Sequence, residues 1–597
     1  MNSFALLDDR DGASRLYTCH LATLACADAA ALPGVLEKMQ AALALGQHAV
    51  GLFSYELGAH MQGIEAREGE ALSQVLLFAQ CEHLSAQQVA DWLAQSSDRT
   101  PAGIAQLRSD VNECAFNAAI ARIHDWIAAG DTYQINYTYR ISFDAFGGIH
   151  ALYARLRERQ PVPYGALIAL PDGRAVLSLS PELFVRHEQG VLTARPMKGT
   201  AAASGDAAQD AIIAARLAAD PKSRAENLMI VDLLRNDLGR IARVGSVSVP
   251  ALFEVSPYSA VLQMTSTVQA TLRDDLSLHE VFAALYPCGS ITGAPKRRTM
   301  QIIRELEPAA RGYYTGAIGW FDAPQQGAAI GDFCLSVPIR TLTLQAPDAG
   351  GLRAGEMGVG AGIVHDSVAQ EEYAECALKA RFLTGLPQQF ELFETMHATR
   401  QHGVALLDRH LQRMRSSAAY FGMPFSEADA RGLVQDACAK LAPQGAHRLR
   451  LALDRHGMQL QGGVLAALPA TVRVQVEPEI MQSEGLFLRH KTSVRARYDA
   501  AWRAAEAAGA FDRLFVNERG ELTEGGRSNV FLKLDGRWFT PPLSAGVLPG
   551  VMRAVLLADP AWDAQERVLT LDDLWAAEAV VVCNALRGVL PVTVSRD

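Results

Sequence analysis

Several absences narrow this sequence before any motif is read. Its 597 residues contain no apolar run near the roughly 18–20 residues that a membrane helix needs. Strand-length apolar segments such as 164–170 stop at prolines, Pro163 before and Pro171 after. Nine cysteines are scattered without a C-x-x-C pair, and the opening M-N-S-F-A-L-L-D-D-R has neither the basic nor the apolar stretch of a secretory signal. A reduced, cytoplasmic chain with no membrane partner is the expectation. A basic excess is missing too. The formal net charge of −10 argues against a nucleic-acid partner and leaves small anionic substrates open. No internal repeat is evident.

What is present is ordinary globular material, 49% hydrophobic and 20% charged, and too long for one core at about 100–200 residues per domain. Alanine-rich helical patterns alternate with short β-rich runs at 175–179, 244–249 and 333–340, predicting a mixed α/β (α+β) protein. The helical pattern 369–383 ends in T-G-L-P-Q-Q, a Gly stop, a Pro and a polar pair, before F-E-L-F-E-T begins a strand-like alternation. The boundary is therefore expected near Pro387, giving units 1–386 and 390–597 with a linker at 387–389. Gly350–Gly351 and the A-A-A-S-G-D-A-A run at 201–208 read as flexible loops inside the first unit.

Lys198 stands in P-M-K-G-T, between a helix-breaking Pro and a flexible Gly. A lysine acts as a nucleophile only when it can be neutral, which requires a desolvating pocket or a neighbouring cation. Around it lie, in order, T-Y-Q-I-N (132–136), S-P-E (180–182), R-A-E-N-L-M-I-V-D-L-L-R-N-D-L-G-R (224–240), G-S-I-T-G-A-P-K (289–296), D-F-C-L-S-V-P-I-R-T (332–341), G-V-G-A-G-I-V-H-D-S (358–367) and E-E-Y-A-E-C-A-L-K-A (371–380). In this order the motifs resemble the chorismate-utilising enzymes, the family of anthranilate synthase, isochorismate synthase and aminodeoxychorismate synthase component I. The resemblance covers most of residues 50–385 and implies a fold of layered sheets with surrounding helices.

The resemblance implies roles position by position. Glu226 and Glu375 match the Mg²⁺ ligands, an ion commonly held by one or two carboxylates with water and substrate oxygen completing the sphere. Glu226 lies in a helical pattern whose apolar face reads as Leu228, Ile230, Val231 and Leu234. Glu182 matches the general acid that protonates the leaving hydroxyl, which needs a raised pKa. Arg340 and the backbone N–H groups of Gly360, Ala361 and Gly362 match carboxylate grips, a guanidinium fork and a Gly-rich nest. Gly199 and Thr200 match another part of the substrate site. Lys379, one helical turn after Glu375, either contacts a substrate carboxylate or pairs with Glu375.

Two positions discriminate within the family. Gln134 stands where isochorismate-forming enzymes carry a water-activating Lys, and an amide cannot act as that base. Position 198 is Ala in typical anthranilate synthases and Lys in typical aminodeoxychorismate synthases, so the resemblance implies amination of chorismate, with anthranilate synthesis the alternative. No G-x-C-x-G segment of a glutamine amidotransferase is found, so ammonia is expected from a separate glutaminase subunit. Gln263 and Trp320 depart from the family's frequent His and Tyr. G-L-F-S-Y-E-L-G at 51–58 looks like a strand region that borders a tryptophan pocket in some relatives.

From residue 390 the motifs F-E-T-M-H-A, D-R-H-L-Q-R-M-R-S-S-A (408–418), R-H-K-T-S (489–493), L-T-E-G-G-R-S-N-V-F (522–531) and L-P-G-V-M-R (548–553) resemble the fold-type IV pyridoxal-phosphate enzymes. These include branched-chain and D-amino-acid aminotransferases and aminodeoxychorismate lyase, and the resemblance implies a fold of two subdomains. Lys491 matches the Schiff-base lysine and Glu524 the partner of the pyridine nitrogen. Arg413, with the backbone around Val551 and Met552, matches the phosphate grip. Ala585 stands where relatives often place a hydroxyl. The two halves together imply consecutive steps toward 4-aminobenzoate, with an amino-acid transaminase or a non-catalytic module as alternatives for the second. Fold-type IV relatives commonly form homodimers.

Overall fold

The computed structural model describes residues 3–9, 12–67, 69, 71–97, 100–258, 261–325 and 328–595. The chain divides into two compact units, Met1–Asp98 with Leu107–Ala346 and Arg353–Leu386, and Arg99–Gln106 with Pro347–Leu352 and Pro387–Asp597. Gly350 and Gly351, expected in the first unit, group with the second: the Gly350 backbone approaches so near that a Cβ there would stand 2.4 Å from the Glu484 carbonyl oxygen. No helix among the described residues is long and apolar enough to cross a membrane. All nine cysteines are free thiols.

In the first unit antiparallel pairing runs as one continuous path. It starts at Gln134–Phe146, which pairs along its length with Arg353–Ile363, and passes through Thr341–Leu344, Ala175–Ser180, Tyr164–Ala169 and Phe4–Asp8 to Ala13–Cys26. From there it continues through Ser73–Ser85, His48–Phe53, Ala317–Phe321, Phe333–Ser336, Leu183–Glu188 and Val191–Arg195 to Val261–Thr271, which also pairs with Met197–Ala202. Alternation along these strands buries Val50, Leu52, Leu76, Phe78, Ala166, Ile168 and Ile318 in one core, where each fully buried aliphatic side chain contributes about 1.5–3 kcal/mol. Helices cover the sheet: Pro221–Gly239 packs on the Met197–Ala202 and Val261–Thr271 strands, and Ala369–Thr384 on Arg353–Ile363.

Four segments depart from expectation, two of them β-rich runs. Strand structure begins only at Ser248, and Val244, in the turn before it, is fully exposed. Phe333–Ser336 is a strand, but Pro338 cannot donate to a ladder, and Arg340 has a left-handed φ of 52°. In 201–208 the strand persists to Ala202 and a helix starts at Ala207, capped by the Asp206 side chain. G-L-F-S-Y-E-L-G is a strand only to Phe53; Ser54 accepts from Leu57 N and caps the helix Tyr55–Met61.

The second unit has the two expected parts. Leu392–Ala398, His447–Asp454 and Gly457–Val464 form a three-stranded antiparallel sheet contacted by the helices Leu407–Tyr420 and Glu427–Ala439. In the other part Val472–Val476 runs parallel to Asp512–Val516 and Gly588–Val594, Arg537–Thr540 runs parallel to Gln565–Glu566, and antiparallel pairs complete a mixed eight-stranded arrangement. Between them the Lys491 segment lies along the first sheet: Phe393 N donates to Lys491 O and Ser493 N to Glu391 O, both at 3.0 Å.

Candidate active sites

Lys198 is aimed by a β-bulge. Met197 faces Thr265 and Thr200 faces Gln263, so its strand carries one residue more than its partner between those pairs, and Gly199 takes a φ of 84° to absorb it. Gln263 fastens the bulge, donating from Nε2 to Gly199 O at 3.0 Å and accepting from Thr200 Oγ1 at 3.1 Å. The departure at Gln263 thus has a structural role. The Lys198 amine points to Gly362, where a Cβ would lie 2.9 Å from its Nζ and 2.5 Å from Gln134 Nε2. Burial lowers the Lys198 pKa, against the pull of Glu226, and nearby Lys379 lowers it further.

Three more expected residues carry buried polar atoms with no partner among the described residues: Gln134 at both amide atoms, Glu182 at Oε1 and Arg340 at Nη1. Such atoms are costly unless something binds them. Burial raises Glu182 to about 7, although the Ser290 hydroxyl and Lys198 favour its charged form. Burial alone lowers Arg340 to about 10. A guanidinium with a buried, unbonded Nη1 fits an anion.

Glu226 and Glu375 project from the two covering helices. Burial raises Glu226, opposed by Lys198 and Lys222, while the charge of Glu375 adds to the rise. Burial would raise Glu375 as well, but Lys379, with Nζ 2.7 Å from Oε1, holds it below its usual range. Lys379 is thus paired with Glu375, and it also donates to Gly360 O at 3.0 Å. The Glu226 helix buries Asn227, Ile230, Val231 and Leu234, whereas Leu228, expected on the apolar face, is exposed.

Gly360, Ala361 and Gly362 form extended strand rather than a nest. Opposite Gly362 and Gly360, Asn136 and Thr138 send their N–H groups away, to Thr292 O and Glu307 Oε1. These are non-hydrogen-bonded pairs, so the amides of Gly360 and Gly362 face the other edge, where pairing ends at Met357. An open strand edge takes the place of the nest. Trp320 packs in the core with the Arg15 guanidinium 3.5 Å from its ring centroid.

In the second unit burial lowers Lys491 to about 7, helped by Arg413 and Arg495 against Glu394 and Glu524. Its Nζ lies 4.9 Å from the Phe393 ring centroid. Burial raises Glu524 to about 7, though it accepts from Tyr498 Oη at 2.7 Å and from Asn529 Nδ2 at 2.9 Å. Arg413 donates from Nη1 to Pro549 O at 3.0 Å, next to Gly550, the N-cap of the helix Val551–Ala558. Val551 and Met552 open that helix, where first-turn amides have no intrahelical acceptor. Ala585 sits in the turn closed by Asn584 Oδ1, which accepts from Leu586 N and Arg587 N.

Residues 18–385, more than half of the chain, match the family described as chorismate binding enzyme. The chain belongs to the chorismate binding enzymes. Residues 391–594 match amino-transferase class IV. The chain is 39% identical over 289 residues to aminodeoxychorismate synthase component 1 of Salmonella typhimurium, covering 48% of this chain and 60% of that protein. It is equally identical over 289 residues to anthranilate synthase component 1 3 of Haloarcula marismortui, covering 48% and 54%. The matches thus span less than two thirds of these relatives. The solved structure of Bacillus anthracis DhbC, described as a 2,3-dihydroxybenzoate-specific isochorismate synthase, has a TM-score of 0.52 at 18% identity over 64% of this chain and 96% of that one. It shows the shared fold.

Sequence reading of this chorismate binding enzyme passed over several residues that touch the sites. Ser290, inside G-S-I-T-G-A-P-K, favours the charged form of Glu182, and its Oγ lies 3.1 Å from Cys288 Sγ. Glu394, Tyr498 and Asn529 bond Arg413 or Glu524. Glu394 and Asn529 stood within quoted motifs, but neither spacing nor hydrophobic pattern marked them as partners.

Proposed function

We propose that the first unit aminates chorismate to 4-amino-4-deoxychorismate and that the second eliminates pyruvate from that product to give 4-aminobenzoate. The observation that carries the reading is the Lys198 amine, lowered by burial and aimed by a bulge at the same point as the Gln134 amide. A neutral Lys198 attacks C2 of the ring as the 4-hydroxyl leaves, and ammonia then adds at C4 and expels the lysine. Glu182, with its pKa near 7, donates the proton that lets the hydroxyl depart as water. Arg340 and the open edge at Gly360 and Gly362 receive the substrate carboxylates.

Glu226 and Glu375, whose helices bring carboxylates near Lys198, fit the few protein ligands that Mg²⁺ takes; they would hold the ion, which would supply positive charge for the substrate's carboxylates. Ammonia comes from a separate glutaminase subunit, and the second unit associates as a homodimer. The chain works in the cytoplasm.

The second unit fits pyridoxal phosphate, because Glu524 is a buried carboxylate bonded only by neutral donors and Arg413 is tied to the loop that starts a helix. Lys491 would hold the cofactor, Glu524 its pyridine nitrogen, and Arg413 with the amides of Val551 and Met552 its phosphate. Bound there, the group supplies an electron sink. Lys491, with a pKa near 7, is suited to take and return a proton at neutral pH.

The test incubates the purified chain with chorismate, Mg²⁺, ammonium and pyridoxal phosphate and identifies the aromatic product by chromatography. 4-Aminobenzoate with pyruvate is expected. Accumulated aminodeoxychorismate would refute the second step, and anthranilate would refute the role of Lys198.

A further inference from the structure

We infer that Glu394 and His410 are positioning residues that hold the Arg413 guanidinium for the phosphate end of the cofactor. The inference rests on the cofactor reading of Lys491, Glu524 and Arg413 given above.

Glu394 lies in the strand Leu392–Ala398, on the face that also carries Leu392 and Met396, and it is 1% exposed. Its Oε1 accepts from Arg413 Nε at 2.8 Å and its Oε2 from Arg413 Nη2 at 2.6 Å, a two-point clamp. His410 Nδ1 faces the same Oε2 at 2.6 Å and takes the donor role, since an ionised carboxylate only accepts. Burial alone would raise Glu394; Arg413 and His410 instead bring it to about 2, so it is charged at any working pH.

With Nη1 bonded to Pro549 O, three of the five guanidinium N–H groups are used by protein, and all three bonds fix its plane. One N–H on each terminal nitrogen remains for a ligand. Stability alone does not explain this arrangement, because well-packed apolar side chains of similar volume commonly match or exceed a buried ion pair. An oriented fork beside the start of the helix Val551–Ala558 serves a phosphate, and its orientation is set by Glu394 and His410.

The experiment uses the full chain carrying Glu394→Gln, titrated with pyridoxal phosphate and, separately, with pyridoxal, which lacks the phosphate. Cofactor absorbance is the readout. Affinity for pyridoxal phosphate should fall about ten- to a hundredfold, the range seen when outer partners of a binding group are removed, while pyridoxal stays within about twofold of the parent chain. Equal losses for both compounds, or no loss for pyridoxal phosphate, would overturn the inference. Should Glu394→Gln not fold, His410→Gln carries the test, because it leaves the clamp itself in place; a smaller loss with the same phosphate selectivity is expected. A parent chain that binds neither compound would remove the cofactor reading and this inference with it, an outcome distinct from equal losses.

Discussion

Gly362 and Lys198 share one space: a Cβ on the glycine would stand 2.9 Å from the lysine Nζ, and 2.5 Å from Gln134 Nε2. Both neighbours are tips of flexible side chains. Gly362→Ala should therefore displace functional atoms with little damage to the fold. Turnover of chorismate should fall about a hundredfold, as expected for a misplacement near 1 Å, while stability falls by only about 1 kcal/mol. Steady-state rates and a melting curve check both parts; a large drop in Tm with normal turnover per folded molecule would contradict the geometry.

Arg340 should behave oppositely. A charge held near a pKa of 10 by burial makes the native state bind fewer protons than the unfolded chain from about pH 10 up to the usual guanidinium range, so below pH 10 its full destabilisation is present. Arg340→Met should raise the Tm of the ligand-free chain at pH 8 and raise KM for chorismate by about tenfold or more. A lower Tm together with an unchanged KM would assign Arg340 a structural part instead.

The rate of the first step should follow Glu182. As a general acid it must be protonated, so kcat should decline as pH rises through about 7. Lys198, lowered by burial, must be neutral for the same step. Glu182→Gln should remove the declining limb along with most of the rate. For stability the sign is also set: the native carboxyl binds more protons than the unfolded one between about 4.5 and 7, so its contribution weakens as pH rises across that window. A pH–rate profile with no limb near 7 would exclude Glu182 as the acid.

Lys491→Ala should leave aminodeoxychorismate accumulating in the coupled assay while 4-aminobenzoate disappears. Product chromatography decides it, and unchanged 4-aminobenzoate output would show that the second unit does not use this lysine.

Motif order singled out the candidate residues of both sites, because each is a short chemical pattern at a fixed place in the chain. Their surroundings were less legible. Hydrophobicity put Leu228 on the buried face of its helix, yet Asn227 is buried there instead, its Oδ1 accepting from Ser266 Oγ at 2.5 Å, a partner 39 residues away. Gly360, Ala361 and Gly362 read as a nest because glycine permits one, whereas pairing with Gln134–Phe146 holds them extended. One helical turn of spacing allowed Lys379 to reach either a substrate carboxylate or Glu375, and the structure shows the pair with Glu375. The clamp on Arg413 joins a strand to a helix across 19 residues, a distance at which periodicity is silent.

Lys198 and Gln134 stand at opposite ends of a long series of strand pairings, yet both arrive at Gly362. The meeting of these two side chains is therefore a closure property. Slippage at any ladder along the way would pull the two ends out of reach of one another, and because such non-local pairings form late, the first unit should regain turnover only as its last contacts close on refolding.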